Sequence, residues 1–226
     1  MTRLTDSHKT TRYLRESSCP EIQGGAPLSD IFPTGFECGV LNGRVQPGST
    51  VAIVGAGPIG LASLLTAQFY SPARIIMIDT NVARLEVASG LGASDCINVT
   101  RENAAAAVKR LTDGMGVDCA IEAVGVPATF ELCQELVAPG GVIANIGVHG
   151  VKADLHLETL WSQNIAITTR LVDTVSTPML LKTVRAGKLL PGQLITHRFK
   201  LDDILAAYDT FRNAGETHAL KVIIAT

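Results

Sequence analysis

Through most of the chain, short runs of β-branched and aliphatic residues alternate with stretches of helical periodicity. The apolar runs predict strands at residues 50–55, 74–79, 95–99, 117–124, 141–147 and 164–169, and the periodic stretches predict helices at residues 58–70, 82–91, 102–111 and 127–137. Strands that alternate with helices in this way are typical of a parallel sheet with helices on both faces. The pattern therefore predicts an α/β fold built on a doubly wound parallel sheet.

The two ends of the chain follow different patterns. Residues 28–44 have apolar positions at helical spacing and predict a helix, whereas the first 26 residues are polar and predict a flexible tail. The elements expected beyond residue 171 are two helices and a strand, at residues 177–185, 201–211 and 220–225. This end is not expected to continue the strand–helix rhythm. The three segments that result are a tail, a sheet domain and part of a second domain, at residues 1–26, 27–170 and 171–226.

The first predicted strand leads into three glycines, Gly55, Gly57 and Gly60. An acidic residue, Asp79, follows the last of them by nineteen positions. Strand, glycine turn, helix, strand and acid in this order form a dinucleotide-binding fingerprint, in which the glycines allow a sharp turn, close approach of a pyrophosphate and close helix packing. Pro58 suits the first turn of the helix, whose free N–H groups favour phosphate. The sequence therefore predicts a Rossmann-type nucleotide site.

Asp79 also indicates which dinucleotide binds. A carboxylate at this position can accept hydrogen bonds from both ribose hydroxyls, whereas a 2′-phosphate would meet a like charge. NAD is therefore favoured over NADP. Two alternatives stay open at this point: a glycine-rich turn in an unrelated α/β protein, and a methyltransferase with its own glycine loop and ribose-binding acid.

Composition and charge exclude several kinds of partner. The 226 residues carry a net charge of −2, which gives no indication of nucleic acid or of an acidic membrane surface. No apolar run reaches the length of a membrane-spanning helix, and the N-terminus lacks the apolar core of a signal peptide. The five cysteines are scattered without Cys-x-x-Cys spacing, which indicates reduced thiols. We expect a cytoplasmic protein that binds neither nucleic acid nor membrane.

Motifs well beyond the glycine loop support a more specific interpretation. They read Asp30-Ile-Phe-Pro-Thr-Gly35, Gly48 through Gly60, Ile78-Asp79, Glu122-Ala-Val-Gly125, Pro139-Gly-Gly141 and Asn145-Ile-Gly-Val148. With these motifs, residues 28–226 resemble the C-terminal half of zinc-dependent medium-chain alcohol dehydrogenases. The resemblance implies NAD and zinc as cofactors and reversible hydride transfer between NAD and a small-molecule alcohol or carbonyl substrate. It also implies a homodimer through the sheet edge at residues 155–169.

The resemblance carries individual roles over by position. Asp30 matches a catalytic zinc ligand, and Thr34 and Ile59 match residues that pack against the nicotinamide ring. The other matches to cofactor-binding positions are Arg84 beside the adenosine, Val124, Gly125, Gly147 and Val148 at the ends of later strands, and Lys221 near the pyrophosphate. The family's remaining zinc ligands, a Cys and a Gly-His-Glu motif in a preceding barrel domain, do not occur in these 226 residues.

We therefore expect NAD binding but little or no turnover by this chain alone, because one carboxylate does not hold catalytic zinc. Asp30 is equally explained as an N-terminal helix residue whose charge suits the helix dipole. One alternative is a non-catalytic NAD(H)-binding module or subunit that needs a partner chain, and another is a truncated gene product without its own function. Six apolar side chains of the last segment are expected to lack cover: Leu180, Leu181, Ile204, Leu205, Tyr208 and Phe211.

Three further residues have two interpretations each. Cys38 is interpreted as a small core residue and not as a metal ligand. Glu122 is a charge inside an apolar strand, and we interpret it as a paired structural carboxylate at a strand end and not as a general base. His149 follows Gly147 and Val148 and either approaches the ligand or is a surface or hydrogen-bonded residue, and the second interpretation is favoured.

Overall fold

The computed structural model describes residues 26–225, and these form two compact units. The larger unit is residues 34–172, and the smaller one combines residues 26–33 with residues 173–225. The larger unit ends two residues after the boundary expected from the sequence, and residues 27–33 group with the C-terminal segment instead of with the sheet. The predicted tail, residues 1–26, lies outside the described residues except for its last position.

The larger unit is built on a parallel sheet. Its strands are β1 (Thr50–Val54), β2 (Arg74–Asp79), β3 (Asp95–Asn98), β4 (Val117–Glu122), β5 (Val137–Asn145) and β6 (Ala166–Thr169). Within the described residues the strand order is β3-β2-β1-β4-β5-β6, and each neighbouring pair is parallel. This order confirms the predicted α/β, Rossmann-type doubly wound sheet, and it sets all six carboxyl ends along one edge.

The α-helices at residues 58–67, 82–90, 104–111 and 127–136 of the larger unit agree with the predicted ones, whereas those at residues 157–160 and 214–217 were not predicted. The α-helices are α1 (Ile31–Pro33), α2 (Pro58–Ala67), α3 (Val82–Gly90), α4 (Ala104–Leu111), α5 (Pro127–Leu136), α6 (Leu157–Leu160), α7 (Thr177–Arg185), α8 (Ile204–Arg212) and α9 (Ala214–Thr217). No α-helix of residues 26–225 has the length and apolar character needed to span a membrane.

The predicted helix at residues 28–44 has a different internal structure. It divides into a 3-10 turn at Ala26–Ser29, the short α1, and a π-helix at Thr34–Leu41. The π-helix is marked by bonds five residues apart, such as the one from the Asn42 N–H to the Glu37 carbonyl at 3.2 Å. Periodicity near 3.6 does not distinguish these helix types over a single turn, so the sequence predicted the segment but not its geometry.

The residues at the core of the sheet are almost completely buried. Val51, Ala52 and Ile53 are 0 % exposed, and Val54 is 2 % exposed. Because consecutive residues of a strand point to opposite faces, burial of all four means that both faces of β1 are covered. Each buried Val or Ile side chain of this strand contributes about 1.5–3 kcal/mol relative to full exposure.

The smaller unit corrects an expectation about the C-terminal segment. Strand β7 (Ile195–Lys200) pairs in parallel with β8 (Lys221–Ala225), and α8 lies between them in the chain. The strand–helix rhythm therefore does continue there, as one β–α–β unit. Strand β7 was not predicted, although its residues alternate between half-buried and exposed positions as a surface strand does.

The expected exposure of apolar residues holds only for α8. Leu205, Tyr208 and Phe211 are more than half exposed and Ile204 is half-buried, but Leu180 and Leu181 of α7 are buried. The expectation was wrong for α7 because this helix packs against residues 26–29 and α1, and the Thr177 hydroxyl donates to the Leu28 carbonyl at 3.4 Å. These partners are distant in the sequence and belong to the same unit.

Among the described residues, four cysteines form no disulfide bond with one another, and burial separates them into two groups. Cys38, Cys119 and Cys133 are buried, whereas Cys96 is exposed, which confirms the interpretation of Cys38 as a core residue. Burial, with a smaller contribution from the Asp118 carboxylate, raises the pKa of the Cys119 thiol to about 12. Burial also raises the pKa of Cys133 well above its usual value, and it raises that of Cys96 less.

Because the thiolate is the reactive form, the buried thiols should resist modification. In a Cys19→Ser background at pH 8, we expect a disulfide reagent such as DTNB to modify Cys96 first. Cys119 and Cys133 should react only after guanidinium is added. Peptide mass spectrometry at timed intervals measures the order, and modification of Cys119 or Cys133 before Cys96 in the native chain would contradict this expectation.

Candidate nucleotide-binding site

A cleft of about 810 Å³ opens at the carboxyl ends of the first two strands. One wall is formed by the loop after β1 and the end of β2, and the other by the start of α4 and by α5. Its volume lies within the range of small-molecule sites, and its place matches the crevice at which open α/β sheets bind ligands. Five of the predicted cofactor-binding residues line it: Gly55, Gly57, Asp79, Arg84 and Val124.

Two glycines of the loop are explained by the packing of the protein itself. Gly55 has a φ of 106°, and a Cβ built there would lie 2.6 Å from the Cγ2 atom of Val124. A Cβ on Gly60 would overlap the carbonyl oxygen of Gly55, because α2 passes directly over the end of β1. Both positions therefore need glycine to bring strand, turn and helix together, as predicted.

Gly57 differs from Gly55 and Gly60 because nothing among residues 26–225 requires it to be glycine. Its φ is −75°, and a Cβ built there would meet no atom within 4 Å. It caps the N-terminus of α2 without a side chain, and Pro58 takes the first helical position. The first-turn N–H groups of a helix are left without intrahelical partners and attract anions. The bare backbone at Gly57 leaves this helix end accessible to a ligand.

Asp79 is fixed at the edge of the cleft by main-chain hydrogen bonds. Its Oδ2 atom accepts from the Ala56 N–H at 2.6 Å, and its Oδ1 atom accepts from the Asn81 N–H at 2.8 Å. The carboxylate thereby ties the end of β2 to the glycine loop. Oδ1 also accepts from the Thr80 hydroxyl at 3.5 Å, whereas Oδ2 keeps a lone pair for a further donor, such as a ribose hydroxyl.

Arg84 provides a cationic group on the same side of the cleft. Its backbone N–H is bonded to the side chain of Asn81, which caps α3, and its own side chain lines the cleft. The Nε atom is buried and has no hydrogen-bond partner among the described residues. Buried donors are rarely left unpaired in proteins, so this atom fits an acceptor supplied by a ligand.

The remaining predicted residues of the larger unit lie near the glycine loop or at the ends of β4 and β5. Pro58 and Ile59 are half-buried in the first turn of α2, and Thr34 is half-buried at the start of the π-helix. Gly125 has a φ of 91°, and a Cβ there would lie 2.6 Å from the Val148 carbonyl oxygen. The loops after β4 and β5 therefore touch, with Gly147 in the second of them.

Asp30 and Lys221 belong to the smaller unit. Asp30 is exposed, and Lys221 is a half-buried residue at the start of β8. Their roles at the zinc and at the pyrophosphate stay predictions. Among residues 26–225, no three His, Cys, Asp or Glu side chains come together in a way that could hold a metal ion. Catalytic zinc needs about three protein ligands, so the donor set of the described residues does not fit this metal.

Sequence reasoning missed one wall of the cleft. Glu102, Asn103, Thr129 and Glu131 line it from α4, α5 and the residues before them. Asn103 carried a signal, because it caps α4 by accepting from the Ala106 N–H at 2.8 Å. The other three have no distinguishing pattern and reach the cleft only because helices α4 and α5 pack together.

The larger unit is a parallel six-stranded sheet with a glycine turn at the end of β1 and an acidic residue at the end of β2. These features define a Rossmann-type α/β protein. Residues 58–183 match the family model described as "Zinc-binding dehydrogenase". The chain therefore belongs to the zinc-binding dehydrogenase family.

Curated relatives and solved structures agree with this assignment. An alcohol dehydrogenase from Cupriavidus necator is 36 % identical over 202 residues, covering 86 % of this chain and 54 % of the relative. The structure of zinc dependent alcohol dehydrogenase 2 from Streptococcus pneumonia superposes with a TM-score of 0.83 at 51 % identity, covering 85 % of this chain and 56 % of that one. Alcohol dehydrogenase from Thermus sp. ATN1 gives 0.84 at 30 % identity, covering 92 % and 60 %. The chain thus spans little more than half the length of these proteins.

The open space at Gly57 gives a test that separates binding from folding. Gly57→Ala is expected to weaken NADH binding about tenfold or more. The melting temperature should hardly change, because the added methyl group meets no protein atom but occupies the approach to α2. Titration calorimetry and thermal denaturation measure the two effects.

Two other glycines provide the controls. Gly90→Ala also adds a methyl group in open space, at the end of α3, and should leave NADH affinity unchanged. Gly60→Ala should destabilise the fold by about 1–3 kcal/mol, because its Cβ overlaps the Gly55 carbonyl. Equal NADH affinity of Gly57→Ala and the unaltered chain would disprove the ligand-based explanation of this glycine.

Proposed function

We propose that this chain is the NAD-binding part of an alcohol-dehydrogenase-type oxidoreductase, which transfers hydride between NAD and an alcohol or carbonyl compound. The observation that carries the proposal is the presence, in one cleft, of the open backbone at Gly57 and the fixed carboxylate of Asp79. The first suits a pyrophosphate and the second suits a ribose. Family membership supports the reaction type.

The cofactor would run across the sheet from β2 to β5. Asp79 would accept the adenosine ribose hydroxyls, and the Arg84 guanidinium would lie beside the adenosine. The pyrophosphate would face Gly57 at the start of α2. The nicotinamide half would then extend over the ends of β4 and β5, because the two halves of a Rossmann-type site lie on either side of the strand-order reversal.

The choice of NAD over NADP rests on charge. A 2′-phosphate within about 4 Å of Asp79 would be repelled by roughly 4 kcal/mol per unit charge at the effective dielectric constant of a protein surface. Arg84 would offset part of this repulsion. The carboxylate cannot turn away without breaking its bonds to the loop, so we propose NAD as the physiological cofactor.

The catalytic step itself needs groups beyond those in the described residues. In this reaction class, zinc would supply a Lewis acid for the alcohol oxygen. Residues 26–225 do not form a site that fits this ion. A second candidate function follows from this observation: an NAD(H)-binding module or subunit whose catalytic groups come from another part of the protein or another chain. Both candidates share the cofactor site, and they differ only in where the chemistry resides.

Partner and location are also proposals. Strand β6 stands at one end of the strand order, and its edge could extend the sheet into a second copy, forming a homodimer. The four described cysteines form no disulfide bond with one another, which supports a reducing, cytoplasmic location. We propose a small-molecule alcohol or carbonyl substrate, and we propose neither nucleic acid nor membrane as a partner.

Cofactor choice can be measured directly. We expect the chain to bind NAD about tenfold or more tightly than NADP. Asp79→Asn should bring the two affinities closer together, because it removes the charge that repels the 2′-phosphate. Asp118→Asn is the matched control, since Asp118 also accepts a backbone N–H, from Thr50 at 2.8 Å, but next to the amino end of β4. A preference for NADP in the unaltered chain would refute the proposed cofactor.

Turnover by the purified chain tests whether the catalytic groups lie within these 226 residues. With NAD, added zinc and a set of primary and secondary alcohols, we expect no zinc-dependent NADH formation, because the described residues provide no three-ligand site. The absorbance at 340 nm measures it. A zinc-dependent kcat near the common enzymatic range of about 1 s⁻¹ or above would contradict this expectation.

A further inference from the structure

Four polar side chains form a cluster at the carboxyl ends of β4 and β5, which we name the strand-end cluster. Its members are Glu122, Thr129, Asn145 and His149. The cluster lies beneath the loops that carry Val124 and Val148. Because a buried charge is costly unless it is well bonded, the presence of Glu122 here needs a physical reason.

Glu122 organises the loop after its own strand. The side chain is 0 % exposed, and its Oε1 atom accepts from the Val124 N–H at 3.0 Å, the Gly125 N–H at 2.8 Å and the Thr129 hydroxyl at 2.6 Å. One oxygen therefore fixes two consecutive peptide groups of the loop and the first turn of α5. These N–H groups point into the protein, which orients the Val124 side chain toward the cleft.

The second oxygen of Glu122 faces the neighbouring loop. Oε2 lies 3.6 Å from the Nε2 atom of His149 and has no hydrogen-bond partner among the described residues. A Cβ on Gly147 would overlap this oxygen, so the carboxylate packs directly against the Gly147 backbone. The Gly147 N–H also donates to the Glu122 carbonyl at 3.2 Å. Glu122 thus contacts both loops.

Asn145 holds the second loop from its own side. Its Nδ2 atom donates to the Gly147 carbonyl at 3.0 Å, and its Oδ1 atom lies 2.9 Å from the Nε2 atom of His149. Oδ1 of Asn145 can accept a hydrogen bond from this ring nitrogen. The ring also packs edge-on against Phe130 at 5.9 Å between centroids. Val148 belongs to this hydrogen-bonded loop, yet it is 90 % exposed.

We propose that Glu122 is a positioning residue for the nicotinamide half of the dinucleotide. It holds the loops after β4 and β5 in contact, so that Val124 and Val148 present a preformed apolar surface. The inference rests on the proposed NAD binding. In the strand order, Asp79 of β2 and Glu122 of β4 lie on opposite sides of β1, so Glu122 should affect the nicotinamide half and not the adenosine half. Its carboxylate does not touch the cofactor.

The test compares NADH with AMP, which lacks the nicotinamide half. In the full chain, Glu122→Ala should weaken NADH binding about tenfold or more while AMP affinity changes less than about twofold. Glu122→Gln should restore most of the NADH affinity, because its amide oxygen can accept the same three donors. Titration by NADH fluorescence, which reports the surroundings of the ring, and by NMR for AMP gives the two constants.

Asn145→Ala provides an independent test if Glu122→Ala does not fold, since Asn145 lies outside the cleft lining. It should lower NADH affinity and spare AMP in the same way, by a smaller factor. Parallel loss of NADH and AMP in the folded variants, or unchanged NADH affinity, would overturn the positioning role. Failure of the unaltered chain to bind NADH would instead refute the proposed function itself, so the two failures are distinguishable.

Discussion

The close approach of α2 to the end of β1 is the constraint on which the site depends. Gly60 lies against the Gly55 carbonyl, and Gly55 takes a left-handed conformation beside Val124. No larger side chain fits at these contacts, so the helix start is held over the centre of the sheet. Strands β2 and β4 pair with β1 on its two sides, which brings their carboxyl ends, and with them Asp79, to the same helix terminus.

The site combines residues with and without a role in packing. Gly55 and Gly60 are required by the fold, and Glu122 is required by the loops that it bonds. Gly57 and the exposed Val148 have no such requirement from the protein. Gly57 and Val148 are therefore the stronger indicators of a ligand, because packing among the described residues does not explain an open glycine or an exposed valine at these positions. Zinc is not indicated in this way, since the described residues do not form a group of donors that suits it.

Local patterns predicted most of the sheet, because buried parallel strands have continuous aliphatic runs and the glycine turn has fixed spacing. Strand β2 was predicted at its observed bounds. Strand β7 was missed because its residues are only half-buried or exposed, so the apolar pattern that marks a strand in the sequence is weak there. The positions of Asp79 and Gly57 followed from the motif, whereas the contact between Glu122 and His149 depends on two loops that are distant in the sequence. Only the folded chain brings them together.

The smaller unit is assembled from two pieces of chain with the whole sheet between them. The hydrogen bond from Thr177 to Leu28 joins residues separated by 149 positions. During synthesis, the sheet unit emerges before the second piece and can fold first, since domains fold as units from the N-terminal side. Residues 26–33 must meanwhile remain without their native partners, with Leu28 and Phe32, which are buried in the folded chain, still uncovered. Residues 26–33 are therefore made before the sheet unit, but their native partners in residues 173–225 are made after it.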